Sequence, residues 1–285
     1  MRLLAFTIDH QPRIGALTDA GVIDLSLVDA TAPTDLGAVI KNGRLAELAA
    51  ILAESDGAVH YQLADLDLQL PVAAPGKILC LGLNYIDHIA EGPFEKQPFP
   101  TIFMRSPTSL VAAHKPILAP SVSNTMDYEA ELAIVIGQKC KHLTADNALD
   151  VIAGYSCFND GSVREYQRHT IQWTMGKNFD QTGPFGPLLV TSDELPPAAD
   201  GLKIECRLNG QTVQSSSTDM MIFKVVETLV YITEAMTLEA GDVVVMGTPS
   251  GVGHGRKPPL WMQDGDVVEV EIEKIGLLSN PVKAI

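Results

Sequence analysis

Short apolar runs of strand length dominate the chain after residue 77, and they restrict its fold more than any other feature. The segments 202–208 and 211–214 flank Asn209-Gly210, a dipeptide that favours a type I′ hairpin turn. Further strands are predicted at 77–81, 131–136 and 151–158, and at 267–272, where an alternating run is expected to close the sheet region. Grouped strands with few helices predict a β-rich α+β fold, a roll or sandwich built on mixed sheets, and not a βαβ array.

Two stretches have helical spacing of their apolar residues. Residues 34–54 predict a helix that is split near Asn42-Gly43. Residues 222–235 predict a second helix, with Thr218 or Asp219 as its N-cap.

The N-terminal part of the chain differs from the rest. Short strands at Leu3–Ile8, Arg13–Leu17 and Val22–Leu25 precede the helix of residues 34–54, and Pro and Gly punctuate residues 70–76 as in a linker. We therefore expect a small N-terminal α/β domain over residues 1–70 and a larger domain over residues 71–285.

The charge balance argues against nucleic acid and anionic membranes as partners. Lys and Arg number 20 against 35 Asp and Glu, a formal net charge of −15, and phosphate binding needs a basic surface. No apolar run approaches the roughly 20 residues of a membrane span, and the N-terminus does not resemble a signal peptide. The cysteines lack metal or disulfide spacing, so we expect reduced thiols and a cytoplasmic protein (Cys80, Cys140, Cys157, Cys206).

Three carboxylates are candidate ligands for a hard cation. Alternation along the strand places Glu129 and Glu131 on one face, opposite Ala130 and Leu132. Asp160 follows the apolar run 151–158, at the point where a buried strand ends. Three such carboxylates suit Mg²⁺ or Mn²⁺ and leave about three octahedral positions for water or substrate. The simpler interpretation of Glu129 and Glu131 is a solvated strand face.

A His–Glu pair offers a base with an orienting carboxylate. His88 and Glu91 are three residues apart, on one face of a helical turn. Gly92-Pro93 is expected to end that turn, which favours a short helix or a loop that closes over a site. The alternative is an ordinary His–Glu pair on the surface.

Two further segments carry polar groups beside apolar strands. Lys177 lies among few other charges and could balance nearby acids, although a surface lysine is the simpler interpretation. In 241–253 a strand enters a Gly-rich turn, whose backbone N–H groups and Thr248 hydroxyl could hold a carboxylate. A plain tight turn is the alternative.

The amino-acid sequences of these segments and their order along the chain resemble the fumarylacetoacetate hydrolase family over about residues 75–285. The resemblance rests on residues 82–91, 127–132, 159–160, 176–180 and 247–253. It implies a β-rich roll, a Mg²⁺ or Mn²⁺ site, usually a homodimer, and a small-molecule 2-keto acid substrate. It also implies that Glu129, Glu131 and Asp160 bind the metal.

The resemblance assigns further roles to individual residues. His88 and Glu91 would activate water on a mobile lid, and Lys177 would lie near the metal. Arg164 and Gln167 match an Arg-x-x-Gln pattern that binds substrate, and Thr248 matches a carboxylate-binding threonine. Arg105 stands where many relatives have lysine, so the resemblance assigns it no role.

The function implied by this resemblance is hydrolysis of the C3–C4 bond of a 2,4-diketo acid to pyruvate and a carboxylic acid. The acyl part could be a 2,4-diketo-3-deoxy sugar acid tail, such as the L-rhamnonate derivative. Gln167, His169 and Arg256 are candidates to contact that tail. Alternatives are an oxaloacetate decarboxylase, a 2-hydroxy-dienedioate decarboxylase/isomerase, or a non-catalytic metal- or carboxylate-binding protein.

Overall fold

The computed structural model describes residues 1–91 and 97–285. Its helices are α1 (Leu25–Val28), α2 (Leu36–Lys41), α3 (Leu45–Ala53), α4 (Ile86–Ala90), α5 (Arg164–Gln167), α6 (Thr174–Lys177) and α7 (Val225–Ala235). Single-turn 3₁₀ helices lie at Leu63–Asp65, Pro107–Ser109, Ser192–Glu194, Pro197–Ala199, Thr218–Met220 and Gly253–Gly255. Gly92-Pro93, the expected end of the His88 helix, lies outside the described residues.

Strands form the larger part of the regular structure. They are β1 (Arg2–Ile8), β2 (Gln11–Leu17), β3 (Val22–Asp24), β4 (Asp67–Gln69), β5 (Ile78–Gly82), β6 (Thr101–Arg105), β7 (Leu110–Val111), β8 (Ile117–Ala119), β9 (Met126–Asp127), β10 (Ala130–Ile136), β11 (Ile152–Asn159), β12 (Ser162–Val163), β13 (Gly183–Val190), β14 (Lys203–Leu208), β15 (Gln211–Ser217), β16 (Val243–Val245), β17 (Val267–Ile272) and β18 (Gly276–Ala284). The predicted β-rich α+β fold with mixed sheets is confirmed.

One large sheet runs through the molecule in the order β3-β2-β1-β13-β11-β10-β16-β5-β6, and β4 and β7 pair with β1 and β13. A second sheet has the order β15-β14-β17-β18-β8, and β12 pairs with β9. Most neighbours are antiparallel, but β16 and β5 are parallel in the large sheet, and β18 and β8 are parallel in the second sheet. Both sheets therefore contain the mixed pairing of an α+β protein.

The centre of the large sheet is buried on both faces. Every residue of β10 is buried. Leu132 and Ile134 pack into one apolar cluster, whereas Ala133 and Val135 pack into another. The second cluster also contains Leu3 of β1 and Ile40 of α2, so N-terminal elements share a core with the middle of the sheet. The division at residue 70 stays a prediction.

Three sequence predictions about element ends need correction. Helix α7 begins at Val225, not at 222. Its N-cap residue is Lys224, whose backbone N–H donates to Glu227 Oε2 at 3.2 Å. Thr218 instead accepts from the backbone N–H of Leu202 and donates to the carbonyl oxygen of Ala199. Leu25 begins α1 and is not part of β3, because the Asp24 side chain caps that turn. β17 does not close the sheet, since β18 follows it as an antiparallel partner.

The hairpin prediction is confirmed in register and in turn geometry. Leu208 pairs with Gln211, and Asn209 and Gly210 have φ angles of 51° and 77°. Both angles are positive, as a type I′ turn requires.

Candidate active site

The candidate site is built where four adjacent strands end at one edge of the large sheet. Glu129 precedes β10 and Asp160 follows β11, its antiparallel neighbour. Thr248 follows β16, which is antiparallel to β10 and parallel to β5. The chain after β5 leads into α4 with His88. Because these strand ends lie at the same edge, residues far apart in sequence meet in space.

Glu129, Glu131 and Asp160 form a buried acidic cluster. One carboxylate oxygen of each lies within 4.8 Å of the others. Their relative exposures are 5%, 1% and 0%, so the alternative of a solvated strand face is excluded. Carboxylates are almost never this buried unless they are paired with cations.

Cationic side chains compensate two of the three carboxylates. The Lys177 ammonium lies 2.7 Å from Glu129 Oε2 and 2.6 Å from Asp160 Oδ2, and its side chain is itself buried. Arg105 Nη1 lies 2.5 Å from the other Asp160 oxygen. Lys177 is therefore not a surface lysine, and Arg105 binds the Asp160 oxygen that Lys177 does not contact.

Arg164 lies on the other side of Glu129. Its Nη2 is 2.6 Å from Glu129 Oε1, its Nε donates to Asp127 at 2.8 Å, and its Nη1 donates to Gln167 Oε1 at 3.0 Å. The guanidinium is thus committed to protein partners. Among the residues that the structure describes, the amide nitrogen of Gln167 has no acceptor, so it is available to a substrate.

The charge environment separates Glu129 from Glu131. Burial alone would raise the pKa of Glu129, but Arg164 and Lys177 lower it to about 2. Burial raises the pKa of Glu131 well above its ordinary value, and the carboxylates of Asp160 and Glu129 raise it further. Burial opposes the charge of Lys177, yet Asp160 and Glu129 hold its pKa above the ordinary value, so it is an ammonium.

The donor set fits a divalent cation. Among the described residues Glu131 has one hydrogen-bond donor, the backbone N–H of Gly247 at 2.6 Å, and no cationic partner. A buried carboxylate without a cation is expensive. Oxygen ligands of this kind suit Mg²⁺ or Mn²⁺, which would supply the charge that Glu131 lacks.

His88 and Glu91 are arranged as a base with its orienting acid. His88 Nδ1 is 3.0 Å from Glu91 Oε2, and the other Glu91 oxygen accepts from the backbone N–H of Gly251 at 2.7 Å. This contact assigns the Nδ1 proton to the glutamate side, leaving Nε2 to accept a proton. The His88 side chain lines the same cavity as the carboxylates, which distinguishes it from an ordinary surface pair.

Thr248 is oriented by a residue that the sequence did not reveal. Gln214 accepts from the backbone N–H of Ala130 and donates through Nε2 to Thr248 Oγ1 at 2.8 Å. The threonine oxygen is therefore an acceptor here, and its own proton is free to point into the cavity that Thr248 lines.

A cavity of about 160 Å³ joins these groups. It is smaller than the roughly 300–1,000 Å³ of sites for drug-sized ligands, which favours a small substrate. The described residues that line it are Leu81, Gly82, Leu83, His88, Phe103, Glu129, Glu131, Arg164, Gln167, Arg168, Trp173, Lys177, Thr248, Val252 and His254. All the predicted site residues are in this set except Asp160 and Glu91, which contact Lys177 and His88.

Three polar residues at the site were missed as functional candidates. Asp127 is fully buried and accepts from Arg164 and from the backbone of the Gly-rich turn. Arg168 and His254 line the cavity, whereas the candidate tail contacts His169 and Arg256 do not. Arg168 follows Arg164 by four residues, on the same helical face, and this spacing could have identified it.

A cluster of buried charges around a small cavity costs stability, and such clusters mark enzyme active sites. The fold and site thus define an α+β enzyme. Residues 77–283 match the family model for the fumarylacetoacetate hydrolase C-terminal domain. The chain belongs to the fumarylacetoacetate hydrolase family, and the resemblance found in its sequence is confirmed.

Relatives and solved structures cover nearly the whole chain. The mitochondrial oxaloacetate tautomerase Fahd2a of Rattus norvegicus is 37% identical, over 99% of this chain and 91% of its own length. The mitochondrial oxaloacetate tautomerase fahd2 of Xenopus laevis is 39% identical, over 99% and 90%. A fumarylacetoacetate hydrolase structure from Exiguobacterium antarcticum has 38% identity and a TM-score of 0.85 over 100% of both chains. A 5-carboxymethyl-2-hydroxymuconate delta-isomerase structure from Mycobacterium smegmatis has 29% identity and a TM-score of 0.78, over 100% and 99%.

In the ranges 1–91 and 97–285, no helix combines the length and the apolar character that crossing a bilayer requires.

Proposed function

We propose that this enzyme interconverts the keto and enol forms of oxaloacetate. The observation that carries the proposal is the similarity, at 37% and 39% identity over 99% of the chain, to two proteins named oxaloacetate tautomerases. Hydrolysis of a diketo acid is the function implied by the sequence, and an oxaloacetate decarboxylase is an alternative. The similarity to oxaloacetate tautomerases favours enolate chemistry on oxaloacetate over that hydrolysis. Decarboxylation of oxaloacetate also passes through an enolate, but breaking the C3–C4 bond gives the enolate of pyruvate, whereas breaking a C3–H bond gives the enolate of oxaloacetate.

Glu129, Glu131 and Asp160 would hold a Mg²⁺ or Mn²⁺ ion, which when bound supplies positive charge for the 2-keto acid end of the substrate. Thr248 and the amide of Gln167 would orient the carboxylate at that end. The small cavity leaves little room for bulk water, which strengthens each of these polar contacts.

His88 would move the proton. In the keto-to-enol direction its Nε2 removes a proton from C3, the C3–H electron pair forms the C2–C3 double bond, and the carbonyl π pair moves to the C2 oxygen. The Lys177 ammonium, which the neighbouring carboxylates keep charged, stabilises that oxyanion. Transfer of the proton from His88 to the oxygen completes the enol, and Glu91 keeps the imidazole in the required tautomer.

Hydrolysis is the second candidate, and the His88–Glu91 contact is the observation that favours it. A base with an orienting carboxylate can deprotonate water as readily as a carbon acid. The structural similarity to a protein described as a fumarylacetoacetate hydrolase points the same way. In that case attack at C4 would cleave the C3–C4 bond of an acylpyruvate or a 2,4-diketo-3-deoxy sugar acid.

Product analysis separates these candidates. Freshly dissolved enol-oxaloacetate is followed by the ultraviolet absorbance of the enol, with enzyme and Mg²⁺ or Mn²⁺, then with chelator, and products are identified by NMR. Faster ketonisation without pyruvate, lost on chelation, supports the tautomerase. Pyruvate with CO₂ would make it a decarboxylase, and cleavage of acylpyruvates alone would make it a hydrolase. Metal binding without any turnover would leave a binding protein.

Several sequence expectations remain proposals. A homodimer, a cytoplasmic location and the absence of nucleic acid and membrane partners are not addressed by the site. The two animal relatives carry mitochondrial in their names, so the location of this enzyme is a question for cell fractionation.

A further inference from the structure

The wall of the cavity carries a cation that the proposed proton transfer does not use. Arg168 is the residue directly after α5, and its side chain lines the cavity. Within the ranges 1–91 and 97–285, its guanidinium makes no hydrogen bond and no ion pair. Arg164, one turn earlier, is fully committed to protein partners. Arg168 is therefore the cavity arginine that is free to bind an anion.

His254 lies in the same part of the cavity. Its backbone N–H is held by Asp127 Oδ2 at 2.9 Å, and its ring packs against Trp261 with centroids 6.0 Å apart. Burial lowers the pKa of His254, and the charges of Arg168 and Arg164 lower it further. The imidazole is thus neutral near pH 7, held in place, and able to offer one ring N–H.

Two groups of polar side chains line the cavity. The acidic cluster with Lys177 is the group that a 2-keto acid would engage. Arg168 and His254 add donors that no carboxylate of the described chain satisfies. A substrate with a single carboxylate would leave Arg168 unused, whereas one with carboxylates at both ends would engage both groups of donors.

We infer that Arg168 and His254 form a recognition site for a second carboxylate, and that they select dicarboxylates over monocarboxylates of the same length. This inference rests on the proposed function for the orientation of the substrate. Arg168 would pair with the distal carboxylate, and His254 would donate one neutral hydrogen bond. Both residues act on specificity and neither takes part in proton transfer.

Binding of two matched probes tests the inference without relying on turnover. Malate and 2-hydroxybutyrate share a four-carbon 2-hydroxy acid skeleton and differ by the second carboxylate. Calorimetry in the presence of Mg²⁺ should show that the wild-type protein prefers malate by about tenfold or more, the usual effect of one hydrogen bond to a charged group. In Arg168→Met most of this preference should be lost, through weaker malate binding alone, and only the share contributed by His254 should remain.

Three further variants sharpen the result. Arg168→Lys should keep part of the preference, and His254→Phe, which preserves the packing against Trp261, should reduce it about threefold, as expected for a neutral hydrogen bond. Arg44→Met removes one positive charge from a site on the N-terminal helices and should leave both affinities unchanged. Because Arg168 is exposed, its variants are expected to fold.

The outcomes also separate this inference from the proposed tautomerase. A wild-type protein that binds both probes equally, or an Arg168→Met variant that weakens both equally, overturns the second-carboxylate site. A malate preference lost in Arg168→Met supports the site even if the enzyme fails to accelerate oxaloacetate ketonisation. In that event the substrate is a different dicarboxylate.

Discussion

Glu131 is the member of the acidic cluster that no cation of the described chain contacts. Its neighbours Glu129 and Asp160 share Lys177, while Glu131 relies on a single backbone N–H. The spacing of Glu129 and Glu131 predicted a shared strand face, and this much follows from the sequence because alternation is local. The sequence does not predict that Glu129 and Asp160 have cationic partners while Glu131 has none. Those partners, Lys177 and Arg164, lie on helices far from β10 in the sequence.

Replacing Glu131 by Gln should have opposite effects with and without metal. In chelator, Glu131→Gln removes a carboxyl group whose pKa is raised by burial, Asp160 and Glu129, and with it the cost of keeping that group charged or protonated near pH 7. The glutamine oxygen can keep the Gly247 hydrogen bond, so the free energy of unfolding should rise by about 1–2 kcal/mol. Adding Mg²⁺ or Mn²⁺ should stabilise the wild-type protein by binding to the acidic cluster, and this stabilisation should be lost in Glu131→Gln. Urea titrations with and without metal measure both effects. The exposed Glu54→Gln is the control, and lower stability of Glu131→Gln in chelator would contradict the charge argument.

His88 should carry the proton in either candidate reaction. We expect His88→Gln to lower kcat by roughly 10²–10⁴-fold with a smaller change in KM, because the residue acts on the reacting atoms. Glu91→Gln should have a milder effect, since it only orients the imidazole. Steady-state kinetics on the substrate identified above measure both. His10→Asn, at an exposed turn, should retain full activity, and full activity of His88→Gln would remove its role as base.

At the scale of elements, the Gly-rich segment after β16 shows how a turn becomes part of a site. Gly247 N donates to Glu131, Gly251 N donates to Glu91, and Gly253 N donates to Asp127. A Cβ on Gly253 would lie 1.8 Å from the Leu260 carbonyl oxygen, so this position requires glycine. The turn thus links Glu131 of β10, the His–Glu pair and Asp127 through its backbone.

The strand pattern was easier to predict from the sequence than the helix ends. The strands β10 and β17 were predicted from their apolar or alternating runs, and the hairpin from Asn209-Gly210. β13 was missed because Gly183, Pro184, Gly186 and Pro187 hide its strand character. Its pairing with β1 and β11 joins segments far apart in sequence, so local composition cannot predict it.

Asp127 is the residue through which these elements are coupled. One of its oxygens accepts from the N–H groups of Tyr128 and Gly253, and the other from His254 and Arg164. Asp127→Asn would turn an NH₂ group toward two of these donors. We expect a loss of about 2–4 kcal/mol in the free energy of unfolding. Denaturant titration measures it, with the exposed Asp9→Asn as control; an unchanged midpoint would mean that the turn is held by other contacts.

At the scale of the whole molecule, the N-terminal strands belong to the sheet that carries the site. β1 pairs with β13, which pairs with β11, and Asp160 follows β11 directly. Leu3 and Ile40 enter the same core as Ala133 of β10. A composition shift at residues 70–76 suggested a boundary, but composition cannot reveal whether two segments share a sheet.

Removing residues 1–70 should therefore prevent residues 71–285 from folding stably. The deletion would expose the edge of β13 and the core surface that buries Leu3, Leu4 and Phe6, each worth roughly 1.5–3 kcal/mol. Together these losses approach the 5–15 kcal/mol of an ordinary domain. We expect the 71–285 fragment to be aggregated or partly unfolded by size-exclusion chromatography and circular dichroism. A folded, soluble fragment would support two independent domains.

The way each cluster carboxylate is tethered also bears on which ions the protein can tell apart. One oxygen of Asp160 is occupied by Arg105, one of Glu129 by Arg164, and one of Glu131 by Gly247 N. The second oxygens of Glu129 and Asp160 contact Lys177, so each of the three side chains could offer a metal ion the lone pair of one oxygen only. Ca²⁺ favours six to eight oxygens and often takes both from one carboxylate, whereas Mg²⁺ accepts one from each and keeps its waters. The protein's own hydrogen bonds would thus limit each carboxylate to one metal–oxygen contact. This limit would favour Mg²⁺ over Ca²⁺, an ion of equal charge, before any substrate binds.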